Sequence, residues 1–174
     1  MMNKSAQKGV GLMEVLVALL ILAIGVLGFA ALQFRAMDAA QEATENTVAM
    51  NVARDLAERI RINRTALSEY KSAINNKATN DTCLGANDIS TPKMLAIPKC
   101  NSTAMAQFDA KEILEKTSQS GQSIIVADCV KSNLNCIYVA WGKTTISSDD
   151  LTNCIDSNTG TYVVDSKCLV MEAF

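Results

Sequence analysis

Lys8-Gly9-Val10-Gly11-Leu12-Met13-Glu14-Val15-Leu16-Val17 decides how the whole chain is read. A polar leader over residues 1–9, carrying Lys4 and Lys8, runs into an apolar segment from Val10 to Phe34. That segment holds one charged residue, Glu14. A carboxylate within a hydrocarbon-length helix costs about 2.5–3.5 kcal/mol even on lenient insertion scales, so such an acid is normally retained for a partner or a function. The competing reading is a signal peptide or plain anchor, in which the acid is an accident.

Val15 to Leu32 carries no charge and is long enough to cross a bilayer. A secretory apolar core is shorter and is followed closely by a small-residue cleavage site. Here the run continues through Gln33-Phe34-Arg35 into more helix-forming sequence. Cleavage near Ala30-Ala31 or Ala39-Ala40 would leave Glu14 unexplained. Lys4 and Lys8 keep the leader end cytoplasmic, placing the remainder beyond the cytoplasmic membrane.

The six cysteines, Cys83, Cys100, Cys129, Cys136, Cys154 and Cys168, all follow the apolar segment. None forms a C-x-x-C and the chain has no histidine, which argues against zinc and thioredoxin-like sites. An even cysteine count downstream of a membrane segment reads as disulfides in an oxidising compartment, with free buried thiols as the alternative. A net charge of −2 and a pI near 5.2 give no footprint for direct nucleic-acid binding. Without histidine the usual serine and cysteine triads are unavailable. Asp149-Asp150 sits in a Ser/Thr-rich stretch that reads as a solvated turn rather than a glycosidase pair. No glycine-rich phosphate loop is present. The expectation is a non-enzyme with no cofactor and no metal.

The only prolines are Pro92 and Pro98, so the first half is free to form one long helix. Thr44, Val48, Val52, Leu56 and Ile60, flanked by Ala49, Ala53 and Ala57, form an apolar stripe of helical period. A helix from Val10 to about Ala73 would be roughly 95 Å long at 1.5 Å per residue. No single small domain buries such a length: its first half needs lipid or other subunits, and its second half can cover a sheet. Gly25 and Gly28 within it read equally as a point of weakness or as sites of close helix packing. The arginines from Arg54 to Arg64, interleaved with Asp55 and Glu58, read mostly as a solvated face.

Asn75 to Cys100, with Gly85 and both prolines, is loop-like. A second helix is expected from about Thr103 to Thr117, then a turn around Gly121. Ser123–Val130 and Asn135–Trp141 read as strands, with Tyr162–Val164 and Cys168–Met171 as shorter candidates. The fold class is α+β, a long N-terminal helix packed on a small antiparallel sheet and stapled by disulfides. The divisions are residues 1–9, 10–34, 35–73 and 74–174: leader, apolar half-helix, amphipathic half-helix and globular domain. A two-residue turn at Ser132-Asn133 would set Cys129 directly opposite Cys136. Of fifteen connectivities, the sequential set is favoured: Cys83–Cys100, Cys129–Cys136 and Cys154–Cys168, each closing a short loop worth about 2–3 kcal/mol.

Gly9, the four residues Val10 to Met13, Glu14 and the unbroken apolar stretch resemble the class III signal of type IV pilins and type II secretion pseudopilins. The resemblance implies that a prepilin peptidase cuts after Gly9, that Val10 is then N-methylated, and that Glu14 is the family's signature acid at the fifth mature position. Most members have phenylalanine where this chain has Val10. Cleavage would put a positive amine on Val10, one turn from Glu14. In a filament Glu14 would pair with the amine of a neighbouring subunit. Val15 to Gly28 and Ala53-Arg54-Asp55-Leu56-Ala57-Glu58-Arg59-Ile60-Arg61-Ile62-Asn63-Arg64 are similar to the PilV minor pilins in particular, as is the strand ending Val139-Ala140-Trp141. Ile60 and Ile62 stand where that family usually has methionine and alanine.

The PilV-like resemblance implies a minor pilin in a priming or tip complex, supporting pilus assembly, twitching motility, adhesion and DNA uptake. The alternative is a minor pseudopilin of a type II secretion system. Implied partners are other minor pilins, major pilin subunits, the prepilin peptidase and the inner-membrane assembly platform. The implied location is the bacterial inner membrane, single-pass with a periplasmic head, and then the extracellular pilus. In many pilins a disulfide staples the C-terminal region, the role that Cys154–Cys168 would take.

Overall fold

A computed structural model describes residues 11–81, 83 and 100–173. They fall into two compact units, one reaching to Ala43 and the other running from Thr44 onward. The first unit consists of the N-terminal part of α1 (Leu12–Ile62). The helix passes through Gly25 and Gly28 unbroken, and a Cβ added at either would meet nothing within 4 Å. Neither glycine therefore serves packing inside the lone subunit.

In the second unit the predicted stripe turns inward. Ala49, Val52, Ala53, Leu56 and Ile60 are buried, with Val48 and Ala57 packed at their margin. Thr44 stays exposed, so the buried stripe starts one turn later than its periodicity suggests. The helix also ends sooner than expected, at Ile62 rather than near Ala73. Asn63 leaves helical geometry (φ −116°, ψ 50°), and its side-chain amide donates to the Ser102 carbonyl at 2.8 Å. The Ser102 hydroxyl in turn bonds the Asn63 side-chain oxygen. A 3-10 turn, Arg64–Ala66, then leads into α2 (Leu67–Asn75), which buries Tyr70, Ala73 and Ile74.

Helix α3 (Ser102–Gln119) is capped by Asn101, whose side chain accepts from the Ala104 N–H at 2.7 Å. Such a cap satisfies one of the amides left unpaired at a helix start. Gly121, at φ 67°, turns the chain from α3 into β1 (Gln122–Asp128). β2 (Asn135–Trp141) and β3 (Cys168–Glu172) complete an antiparallel sheet of order β1-β2-β3. The alternation of side chains across a strand sorts its residues onto two cores. Ile124, Val126, Ile137, Val139 and Trp141 join the helices. Ile125, Ala127, Cys136 and Tyr138 face the opposite way, against Ile146, Leu151 and Ile155 of the loop region.

The hairpin register differs from the expected one by two residues. Ala127 lies opposite Cys136 and Asp128 opposite Asn135, while the Cys129 N–H donates to the Leu134 carbonyl at 2.9 Å. The turn thus spans Val130 to Asn133, with Lys131 in the left-handed region (φ 84°), rather than Ser132-Asn133 alone. Cys129 and Cys136 are bonded on the diagonal, with Cα atoms 5.0 Å apart. The other disulfides are Cys83–Cys100 and Cys154–Cys168. The candidate strand at Tyr162–Val164 is reduced to one bridge, Ile155 to Tyr162, because the surrounding turns bond locally through Asp156 and Thr159. The loop expected over Asn75–Cys100 falls mostly outside the described residues.

Leu56 has no exposed surface at the centre of the helix-side core. Leu56→Ala removes buried methyl groups and leaves a cavity, so it should cost about 2–5 kcal/mol. Ile62→Ala, at a position 87% exposed, should stay within about 0.5 kcal/mol. Urea unfolding of the full chain in detergent, followed by near-ultraviolet circular dichroism, compares the two.

Candidate assembly site

The candidate assembly surface begins with the first turn of α1. The Gly11 carbonyl accepts from the Glu14 and Val15 N–H groups at 2.9 and 3.3 Å, which starts the helix three residues ahead of the acid. An acid there is favoured by the positive end of the helix dipole. Among the described residues Glu14 has no ion-pair partner. Gly9 and Val10, the expected cleavage and methylation positions, lie outside the described residues.

From Leu12 to Met37 every large apolar side chain of the helix is exposed, Leu12 at 80% and Leu27 at 70%. The most apolar 18-residue window of α1 reaches a mean hydropathy of 3.0, with none of it buried. By length and composition this segment can cross a bilayer. An apolar surface of such extent needs lipid or other protein around it.

At the far end of α1 the arginine stretch divides. Arg54 and Arg64 are exposed, and Arg61 pairs with Glu58 at 3.0 Å on the surface, as a solvated face should. Arg59 does not. Its Nε meets Asp55 at 2.8 Å, and its Nη1 meets Asp109 at 2.6 Å and Glu112 at 2.7 Å, both on α3. Lys116 Nζ reaches the other Asp55 oxygen at 2.5 Å, and the Tyr70 hydroxyl donates to Asp109. One guanidinium fork thereby ties α1 to α3, and Tyr70 adds α2. The i,i+4 spacing of Asp55 and Arg59 was readable in the sequence. The long-range acids were not, because Asp109 is the one buried charge on a face of α3 that otherwise buries Ala106, Ala110, Ile113 and Thr117.

Burial opposes ionisation of Asp55, but the Arg59 and Lys116 hydrogen bonds outweigh it and hold the carboxyl below its ordinary 3.8. Burial, then the hydrogen bond to Asp109, pushes the Tyr70 hydroxyl well above its ordinary 10.0. The signs follow by linkage. The Asp55 contribution is complete above about pH 4 and fades as pH falls through the lowered folded value. The Tyr70 contribution is complete below about pH 10 and fades as pH rises through the raised one. Arg59→Met should cost about 1–3 kcal/mol, less than the loss of a fully buried partner because Arg59 keeps some solvent access. It should also flatten the acid limb of a plot of urea midpoint against pH.

Two family models match the chain. The prokaryotic N-terminal methylation motif matches residues 4–30, and the Tt1218-like family, described as type IV pilin Tt1218, matches residues 31–111. No curated protein and no solved structure matches. The methylation motif covers Gly9, Val10 and Glu14, and the second match takes in the rest of α1, α2 and the first half of α3. With a long N-terminal helix, a small antiparallel sheet and three disulfides, these two matches across residues 4–111 support a type IV pilin.

Proposed function

We propose that this chain is a minor pilin of the PilV kind, a structural subunit of a type IV pilus that joins other minor pilins in a priming or tip complex. The observation that carries the reading is Glu14, one acid in the first turn of a helix whose large apolar side chains from Leu12 to Met37 are all exposed among the described residues. The prepilin peptidase cuts after Gly9 on the cytoplasmic side, and Val10 is N-methylated. The helix then holds the subunit in the inner membrane with its disulfide-bonded domain in the periplasm. During extraction by the assembly platform, Glu14 pairs with the terminal amine of a neighbouring major or minor pilin. The complex supports twitching, adhesion and DNA uptake without this subunit binding nucleic acid itself. The arginine-rich stretch from Ala53 to Arg64 supports the minor-pilin assignment over a minor pseudopilin of type II secretion.

Deleting the gene separates these machines. Loss of surface pili and of twitching with normal exoprotein secretion is the expected result. Normal piliation with failed secretion would transfer the subunit to the other system.

A further inference from the structure

β1 is an edge strand of the sheet, paired on one side only. The Cys129–Leu134 bond fixes the odd-numbered residues of β1 as the ones that pair with β2, so the backbone groups of Gln122, Ile124 and Val126 point outward. At Val126 that edge is already occupied. Asn75 donates its Nδ2 to the Val126 carbonyl at 2.8 Å and accepts from the Val126 N–H at 3.0 Å, so its carboxamide takes the place of a neighbouring strand's peptide. One step along, no described residue takes the N–H and carbonyl of Ile124.

A cleft of about 770 Å³ runs along this edge. Leu114 lines one wall and belongs to the helix-side core, while Ile146 lines the other and belongs to the opposite core. The cleft therefore straddles the sheet edge between both cores. Gln122, only 7% exposed, also lines it. Its Nε2 is engaged by Glu45 at 2.9 and 3.2 Å, and its Oε1 is buried with no partner. A buried acceptor left unpaired is unfavourable.

We infer that this edge takes an extended segment of a neighbouring pilin by strand addition. The open groups specify the chemistry. A β-conformed main chain offers an N–H and a carbonyl to Ile124, and its alternating side chains fall on Leu114 and on Ile146. Apolar residues on both faces of the incoming segment fit those walls. The interior of a helix offers only side chains there, as Asn75 does at Val126, whereas an extended main chain presents both groups in register. The inference rests on the reading that the subunit is assembled among other pilins, and it names the contact made there by the globular domain.

The test places p-benzoylphenylalanine at Ser118 and at Ser147, two exposed residues lining the cleft, and at exposed Thr159 as a control. Full-length protein is irradiated in sheared pili and as monomer in detergent, and adducts are mapped by mass spectrometry. The expected adducts join Ser118 and Ser147 positions to a globular-domain segment of another pilin, in pili only. In the unmodified protein, deuterium exchange at Ile124 should slow at least about tenfold on assembly. Adducts on a neighbour's long helix, on this chain itself, or at no more than the Thr159 level would overturn strand addition, as would unchanged exchange at Ile124. An immunoblot of the sheared pili distinguishes the two failures: a subunit present but unprotected sinks this contact alone, and a subunit absent sinks the assembly reading with it.

Discussion

Gly9→Asp should leave the chain at full length in the membrane, with no mature-size band and no subunit in sheared pili. The proposed peptidase acts on the peptide bond after Gly9, and only glycine lacks a Cβ at that position. An acid there also adds a charge beside the apolar run, next to the Val10–Phe34 stretch that must enter the bilayer. Gly9→Val adds bulk without charge and should give the same block, which separates steric exclusion from electrostatics. Immunoblots of membrane fractions with an antibody to the globular domain read both variants. A normal proportion of mature-size protein in either would count against cleavage at this bond.

Glu14→Ala should be processed normally and yet be depleted from pili. The substitution removes the only charge in the apolar segment, so membrane insertion is, if anything, eased. What it removes is the proposed partner for a neighbour's terminal amine. Taking one member from a buried pair costs about 3–5 kcal/mol, or about two to four orders of magnitude in an equilibrium for subunit entry at 1.4 kcal/mol per tenfold. Glu14→Gln keeps shape and hydrogen bonding but not charge, and should recover little. Quantitative immunoblotting of pili against membranes measures the ratio. Unchanged incorporation of Glu14→Ala would show that this subunit enters without the pair.

The parts of the fold that local pattern controls were open in the sequence. The stripe around Leu56 and Ile60, the second helix and the strand Asn135–Trp141 all follow from side-chain period, which is a property of neighbours along the chain. The departures have non-local causes. Asn63 ends α1 because Ser102, from the start of α3, holds its side chain. The hairpin slips by two residues because its turn includes Val130 and a left-handed Lys131, and nothing in Val130-Lys131-Ser132-Asn133 marks a lysine for that conformation. Arg59 belongs to a part-buried ion network although its neighbours Arg54, Arg61 and Arg64 are surface residues, because two of the acids that recruit it stand on another helix.

The proposed assembly site divides in the same way. Glu14 declared itself through its cost in an apolar segment, with no structure needed. The open edge at Ile124 could not be seen, because it depends on which residues of β1 face outward and on Asn75 reaching Val126 from α2.

Gly9–Glu14 is proposed as a processed, methylated terminus built for assembly. Mass spectrometry of the N-terminal peptide of the mature protein tests it most directly. The expected peptide begins at N-methylated Val10. A peptide beginning at Met1, or one created by cleavage near Ala30-Ala31 or Ala39-Ala40, would contradict the account.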